Sequence, residues 1–261
     1  MILESLARLG YASKAVVYTL VGVLAAAAAL NLGGRITDTS GALRVLLSQP
    51  LGTAILLVIA VGLCGYAGWR VLDAFADPDH HGTEFGGLVT RIGNVVRGVI
   101  YGALGLEAFR LARGLRGSSG REAEMWTGRI MDLPLGEWIV GAAGVVVAAY
   151  GVSEIVTAAQ ERIGRLIDPH RLPAAARTTL INIGRFGVAA RAVVIVAIGV
   201  LLVRAALQHE PAAAAGTRES MLELAGLFKG RIVLTAIALG MVAYGIDQAV
   251  HARCRRIRSP I

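Results

Sequence analysis

Cysteine, proline and charge are scarce in this chain. Two of its 261 residues are cysteines, and Cys64 in an apolar run and Cys254 in the basic tail lie too far apart for us to expect a disulfide. None of the seven prolines interrupts a long apolar run, so no membrane helix should be broken by one. Charged residues make up 17% and apolar residues 55% of the chain, and the mean hydropathy is +0.63. This composition argues against an ordinary soluble domain and predicts an all-α membrane protein.

The sequence patterns of familiar enzymes are also missing. No nucleophile is accompanied by a base, and there is neither a nucleotide-binding loop nor a zinc-protease helix, so no enzymatic activity is expected. None of the five histidines lies inside an apolar run, which argues against a bis-histidine haem. A polar cluster at residues 77–84 is interpreted as a solvated loop, because its members are adjacent and no second half of a metal site is apparent. No cofactor, metal or nucleic-acid partner is therefore expected.

Long apolar runs indicate several passages through a bilayer. Runs at residues 15–32, 51–69, 138–153 and 232–246 carry no charge and approach the roughly 20 residues that a spanning helix needs. Two shorter runs, 98–106 and 192–203, are bounded by charged residues. An internal repeat places both of them in register with the first run, and the sequence therefore predicts six transmembrane helices.

The repeat is a fifteen-residue pattern that occurs three times, at offsets of 83 and then 94 residues without a gap. A second pattern follows each copy, with a glycine and a tyrosine 14 residues apart. Each unit is predicted to be a two-helix hairpin, over about residues 6–79, 89–168 and 181–258 of a single membrane domain, 1–261. Three tandem parallel hairpins suggest a pseudo-threefold bundle. The pattern comprises Arg8, Gly10, Lys14, Tyr18 and Gly22; Arg91, Gly93, Arg97, Tyr101 and Gly105; and Arg185, Gly187, Arg191, Ile195 and Gly199.

Three motifs of the first repeat resemble the family called domain of unknown function (DUF) 1206. They are Arg8-x-Gly10-Tyr11 with Lys14, Tyr18 and Gly22; Gly41-Ala42-Leu43 ahead of Gln49-Pro50-Leu51-Gly52; and Gly65-Tyr66-Ala67-Gly68-Trp69-Arg70. The third repeat departs from the pattern, with Asp247 and Gln248 in place of Trp69 and Arg70. The resemblance implies tandem two-helix membrane repeats in a mostly bacterial family. It carries over no activity and no catalytic residue.

Basic residues suggest how the chain is oriented. Lysine and arginine are in modest excess on the side of the two termini, helped by the arginine-rich connection after the fourth helix and by the tail at 253–258. Because cytoplasmic loops carry such an excess, both termini are expected in the cytoplasm, with the protein in the inner membrane. The net charge of +8 is interpreted as part of this topology, with anionic lipid headgroups of the cytoplasmic face as partners.

The segments between the two helices of each hairpin are predicted to form short helices, at residues 41–49, 121–133 and 217–228. Each mixes apolar and polar residues at helical spacing and follows a residue that caps helices well. They either lie on the headgroups and orient the hairpins, or converge as a lid over a central cavity.

Lys14, Arg97 and Arg191 are the strongest candidates for a site. They occupy equivalent positions, about one and a half turns into their predicted helices, and a charge inside a span is costly unless it pairs, faces water or reaches the headgroups. They form either a ring around the axis that binds an anion or a headgroup, or a set of anchors that extend to the surface. Arg8, Arg91 and Arg185 are expected one layer further out.

Further polar residues belong to the same end of the predicted bundle. The tyrosines of the second helices are either interfacial belt residues or partners of the cations, and one carboxylate per repeat is expected to neutralise arginines in a cytoplasmic network. Glu107 has no equivalent; it is either an intramembrane proton or cation site, or a partner of Arg110 or Arg113. The network residues are Tyr66, Tyr150, Tyr244, Asp73, Glu154 and Asp247, together with Arg8, Arg91 and Arg185.

Two classes of function follow from these patterns. The first is a transporter or channel for a small anionic solute or lipid, which a polar interior lined by the three cations would favour. The second is a non-catalytic lipid-binding protein or accessory subunit, which cations facing the lipid would favour.

Overall fold

The computed structural model describes residues 2–76, 85–115, 122–160, 174–214, 216–227 and 230–254, and these are helical with short connections. Among these described residues six helices are long and three are short, and a 3₁₀ turn occupies Pro211–Ala213. The helices are α1 (Ile2–Ala29), α2 (Thr39–Leu47), α3 (Gly52–Ala76), α4 (Phe85–Ala112), α5 (Glu122–Met131), α6 (Gly136–Ala159), α7 (Ala174–Gln208), α8 (Thr217–Leu227) and α9 (Arg231–Cys254).

Five of the described helices are long and apolar enough to cross a bilayer, namely α1, α3, α6, α7 and α9. The prediction of a multi-pass helical membrane protein is therefore confirmed in its coarse form. The sixth predicted span, α4, has 28 residues but does not reach the same apolar composition, because Arg91, Arg97, Glu107 and Arg110 all lie on it.

The first long helix of each hairpin, α1, α4 or α7, begins earlier than its apolar run suggests. The first turns of α1 contain an ion pair between Arg8 and Glu4, 2.8 Å apart and one turn from each other, which supports the helix there. As a result Lys14 lies more than three turns inside α1, and Arg97 lies equally deep in α4. Arg191 lies more than four turns inside α7. The estimate of one and a half turns was therefore wrong for all three cations.

The long helices are neighbours in the order α4, α3, α1, α9, α7 and α6. The tightest contacts join one hairpin to another, through α3 with α4, α6 with α7, and α9 with α1. The two long helices of the first hairpin, α1 and α3, also pack together, as do α7 and α9 of the third. Over the described residues α4 and α6 of the second hairpin make no comparably extended contact.

Glycines explain the three tight contacts between hairpins. A Cβ atom added to Gly22 would lie 2.7 Å from the carbonyl oxygen of Ala238 on α9. At the equivalent Gly105 it would lie 2.8 Å from Sγ of Cys64 on α3, and at Gly199 it would overlap the backbone of α6. Only a residue without a side chain lets the two backbones approach so closely in a membrane, so this glycine of the repeat fixes the spacing of the hairpins.

The three predicted connecting helices are confirmed as α2, α5 and α8. Asp38 caps α2, where its carboxylate accepts a hydrogen bond from the backbone N–H of Gly41 at 2.6 Å. The α2 helix packs on α1, α3 and α4; α5 packs on α6 and the 3₁₀ turn; and α8 packs on α7 and α9. Over the described residues the three make no extended contact with one another, which gives no support to a shared lid.

Several predictions fall outside the described residues. They include the polar cluster at 77–84, most of the basic connection at 161–173 and the end of the tail at 255–261. The predicted ends of the three repeats lie in or beside these segments, so the repeat bounds stay a prediction.

Candidate functional site

The first basic residue of each repeat caps a helix of another hairpin. Its guanidinium donates hydrogen bonds to the last carbonyl oxygens of that helix, which have no partner within the helix, and a positive charge is favourable at this end of the helix dipole. These three arginines therefore hold neighbouring hairpins together. The bonds run from Arg8 to Ala252 and Arg253 (2.9 and 2.8 Å), from Arg91 to Ala74 and Phe75 (2.6 and 3.5 Å), and from Arg185 to Ala158 and Ala159 (2.8 and 3.0 Å).

The second basic residue of each repeat contacts the tyrosine of its own hairpin. Tyr66 and Tyr244 are buried, with 1% and 5% of their surface exposed, so they face the interior instead of forming an interfacial belt. The contacts are Lys14 Nζ to the Tyr66 hydroxyl (3.5 Å), Arg97 to the Tyr150 hydroxyl (2.9 and 3.1 Å), and the Arg191 guanidinium carbon to the centre of the Tyr244 ring (5.0 Å).

Lys14 lies in a cage of aromatic rings. It is 4% exposed, and none of the ion pairs formed by the described side chains includes it. Aromatic faces attract an ammonium group, but the only hydrogen bond recorded for Nζ in the described part of the chain is the long one to Tyr66. An ammonium has three protons to donate, so Lys14 has capacity for another acceptor. The ring centres lie 4.5 Å (Tyr101), 4.7 Å (Tyr66), 5.4 Å (Tyr11) and 5.9 Å (Tyr244) from Nζ.

Arg70 is a buried cation of a different kind, and the repeat pattern does not predict it as a site residue. Its guanidinium donates to the hydroxyls of Tyr66 (2.8 Å) and Tyr11 (3.2 Å), to Oδ1 of Asn94 (3.2 Å) and to Asp73 (3.4 Å). Asn94 also donates to Asp73 at 2.9 Å. Arg70 therefore joins α1, α3 and α4. One signal was available: Asn94 follows Tyr11 by 83 positions, so the two partners occupy equivalent places in their repeats.

Arg97 and Arg191 share one carboxylate. Glu154 on α6 lies 3.2 Å from Arg97 on α4 and 4.0 Å from Arg191 on α7. Arg97 also donates to Oδ1 of Asn94 at 3.3 Å. Because two guanidinium groups face a single carboxylate, this part of the interior holds an excess positive charge.

Asp247 does not join this network in the expected way. It accepts a hydrogen bond from Gln248 at 2.9 Å, and its carboxylate lies 3.5 Å from Nδ1 of His251. Asp73 and Glu154 contact arginines as predicted, but for Asp247 the described residues show no arginine partner. The reason is visible in the repeats, because the place that Arg70 holds in the first repeat is held by Gln248 in the third.

The buried cations and the tyrosines that contact them form one cluster. A cavity of about 320 Å³ lies beside this cluster, toward α2 of the first hairpin. Tyr18 and Tyr101 form part of its wall, and their hydroxyls lie 3.2 Å apart. Glu107 and Arg110 also line it, and Glu107 accepts a hydrogen bond from Ser40 of α2 at 2.5 Å. The structure thus ties Glu107 to the connecting helix.

The two tyrosines of this wall also touch the cations. The Tyr101 ring is one of the four around Lys14, and the Arg191 guanidinium carbon lies 5.8 Å from the centre of the Tyr18 ring. A pair of aromatic side chains therefore separates the cavity from the buried positive charge. All six tyrosines of the chain belong to this cluster.

The fold and the cluster define a multi-pass helical membrane protein with cations and tyrosines buried in its interior. The model of the family described as Domain of Unknown Function (DUF1206) matches residues 9–77, 92–161 and 186–255. The chain belongs to this family, and its three tandem repeats are confirmed. It is also similar to the Uncharacterized protein YxxB of Bacillus subtilis (strain 168), with 32% identity over 239 residues, 92% of this chain and 86% of that protein. No solved structure matches the chain.

Proposed function

We propose that this protein is a transporter or channel for a small anionic solute or lipid, built as six transmembrane helices in a pseudo-threefold bundle. One observation carries the proposal. The cavity beside α2 ends at Tyr18 and Tyr101, and directly behind these rings lie Lys14 and Arg191. An anion that enters the cavity is separated from the buried cations by two side chains that could rotate.

The contacts between hairpins support the pseudo-threefold arrangement. Equivalent arginines cap equivalent helix ends, and equivalent glycines occupy the three tight contacts between hairpins. The charges of α4 support its place as the sixth span, because charged residues in a membrane helix face protein partners. Arg97 contacts Tyr150, Glu107 contacts Ser40, and Arg91 contacts the end of α3.

The balance of charge favours an anion as the ligand. Arg70 has Asp73 as its partner, whereas Arg97 and Arg191 share Glu154 and Lys14 has no carboxylate among the described side chains. A carboxylate or phosphate could accept hydrogen bonds from both an ammonium and a guanidinium group. It would compete with Glu154 for the arginines, and this competition would loosen the contact between α4 and α6.

The proposed location is the inner membrane with both termini in the cytoplasm, as six spans and the excess of basic residues near the termini favour. In this orientation the cavity beside α2 opens toward the outside, and the arginine and carboxylate network closes the cytoplasmic end.

A lipid-binding or accessory role is the second proposal. The close packing of aromatic rings in the interior favours this role. The ring of Tyr66 packs edge to face on the rings of Tyr11 and Tyr101, with ring centres 5.1 and 5.2 Å apart. Among the described residues, these three rings fill the interior at their level.

Flux measurements on purified protein in vesicles test the proposal. Efflux of chloride, phosphate, acetate and succinate is compared for the wild-type protein, Lys14→Met and the control Arg204→Gln, which changes an exposed arginine at the far end of α7. We expect flux of at least one anion, a reduction of about tenfold or more in Lys14→Met, and no change in the control. Wild-type flux equal to that of empty vesicles for every anion would overturn the proposal that the protein transports a small anionic solute.

A further inference from the structure

We infer that the opening between α4 and α6 binds an anionic phospholipid of the surrounding bilayer, with its phosphate at Arg97 and an acyl chain between the two helices. The inference rests on the anion-binding part of the proposed function and adds the class of ligand and its route of entry from the side.

Equivalent glycines show that the second hairpin alone is open. A Cβ added to Gly10 of α1 would overlap Tyr66 of α3 and lie 2.7 Å from the carbonyl oxygen of Gly62. At Gly187 of α7 it would overlap Tyr244 of α9, whereas at Gly93 of α4 it would meet no atom of the described residues within 4 Å. The first and third hairpins are therefore closed at this level, and the second is not.

The sequence supplies a steric cause. In the closed hairpins the facing residues are small: a Cβ added to Gly62 would overlap Ser13, and one added to Gly240 would overlap Ala190. The equivalent pair in the second hairpin is Val96 and Val146. Two valines cannot approach as closely as glycine with serine or alanine, so α4 and α6 are held apart.

These valines leave an apolar surface beside a positive charge. Val96 is 50% and Val146 is 68% exposed, and Ile100, one turn from Arg97 on α4, is also exposed. In a bilayer the neighbours of such a surface are acyl chains. The second hairpin therefore presents an apolar surface that an acyl chain can contact. The first and third hairpins are closed at the equivalent place and have no room for an acyl chain.

Arg97 is suited to the headgroup. With 29% of its side chain exposed, it is more accessible than Arg191 at 16%. Its only carboxylate partner among the described residues, Glu154, also faces Arg191. A phosphate at this point would balance the excess positive charge through bidentate hydrogen bonds. The charge complements an anionic lipid and disfavours a second copy of this chain, which would bring another set of cations.

Native mass spectrometry of protein released from vesicles tests the inference. The vesicles contain equal amounts of phosphatidylglycerol and phosphatidylcholine. Val96→Ser with Val146→Gly restores the small pair of the closed hairpins, and Arg97→Gln removes the phosphate contact. Val99→Ser with Val145→Gly is the matched control, because it makes the same changes at exposed valines of the same two helices. Gly93→Leu places a large apolar side chain in the opening, at a position where an added Cβ meets no atom of the described residues within 4 Å.

We expect bound phosphatidylglycerol in preference to phosphatidylcholine on the wild-type protein and on the control. Bound lipid should fall about tenfold or more in Arg97→Gln, in the serine–glycine variant and in Gly93→Leu. Equal lipid retention in all variants would overturn the inference. A wild-type dimer that becomes a monomer in the serine–glycine variant would also overturn it, since a second copy would then fill the opening.

The flux assay separates this inference from the proposed function. If anion flux persists while lipid retention does not respond to the variants, the lipid site is refuted and transport stands. If lipid retention responds as expected and no anion crosses the membrane, transport of a small anionic solute is refuted and the lipid site stands.

Discussion

Two buried cations on neighbouring helices, Arg70 on α3 and Lys14 on α1, should respond differently to the same substitution. Replacing Arg70 by methionine removes a guanidinium that makes hydrogen bonds to Tyr66, Tyr11 and Asn94 and an ion pair with Asp73. Replacing Lys14 by methionine removes an ammonium that has one long hydrogen bond and no carboxylate partner among the described residues. The comparison therefore separates a structural cation from a cation available to a ligand.

The expected magnitudes follow from these contacts. Arg70→Met leaves the Asp73 carboxylate without its cation, and breaking a buried pair in this way lowers the free energy of unfolding by about 3–5 kcal/mol. Lys14→Met loses attraction to aromatic rings that is worth about 0.5–2 kcal/mol per strong contact. It also removes the desolvation penalty of a buried charge, which is several kcal/mol. These two effects oppose each other, so the change for Lys14→Met should stay within about 2 kcal/mol.

The free energy of unfolding can be measured by titrating the protein with sodium dodecyl sulfate in mixed micelles and following helicity by circular dichroism. Retention of anions or anionic lipid on the folded variants is the second readout. We expect Arg70→Met to unfold at much lower detergent fraction, and Lys14→Met to stay folded but lose its anion. If Lys14→Met is destabilised as much as Arg70→Met, the aromatic cage serves stability and the reasoning about a ligand is refuted.

Three further predictions test individual contacts. Arg91→Gln should lower the free energy of unfolding by about 1 kcal/mol because it uncaps α3; an unchanged detergent midpoint would contradict the cap. Gly10→Ala should cost about 1–3 kcal/mol by overlap with α3, whereas Gly93→Ala should be neutral or stabilising by up to about 1 kcal/mol; equal effects would show that the second hairpin is closed. Ser40→Ala should speed hydrogen exchange in α2 by loosening it from Glu107 on α4, and unchanged exchange in residues 39–47 would contradict this link.

Much of the fold could be predicted because a membrane imposes simple constraints. Apolar runs of fixed length reveal spanning helices, and the gapless repeat revealed the hairpins even where α7 has a charge near each end of its apolar run. The starts of the helices could not be predicted in this way. The first turns of α1 contain charged residues and local contacts such as Arg8 with Glu4, which hydropathy does not register.

The site could be predicted in part. The repeat predicted Lys14, Arg97 and Arg191 as a set. Whether these side chains face the interior depends on the rotation of each helix about its own axis, and the sequence pattern does not determine that rotation. Arg70 was missed because its equivalents are Glu154 and Gln248, so it belongs to no repeated set of cations. The prediction that Asp247 contacts an arginine failed for the same reason, because Gln248 holds the place of Arg70 in the third repeat.

The places where the repeats differ carry more functional information than the places where they agree. Positions that close the bundle recur in type, as the capping arginines and the glycines between hairpins do, because each hairpin must solve the same packing problem. Packing alone would also keep the small pair of Ser13 with Gly62 in every hairpin. The second hairpin has Val96 and Val146 instead, and this pair opens it beside the most exposed of the three cations. Val96 and Val146 thus create an opening beside the excess positive charge. An anionic ligand that enters from the bilayer requires an opening at this place.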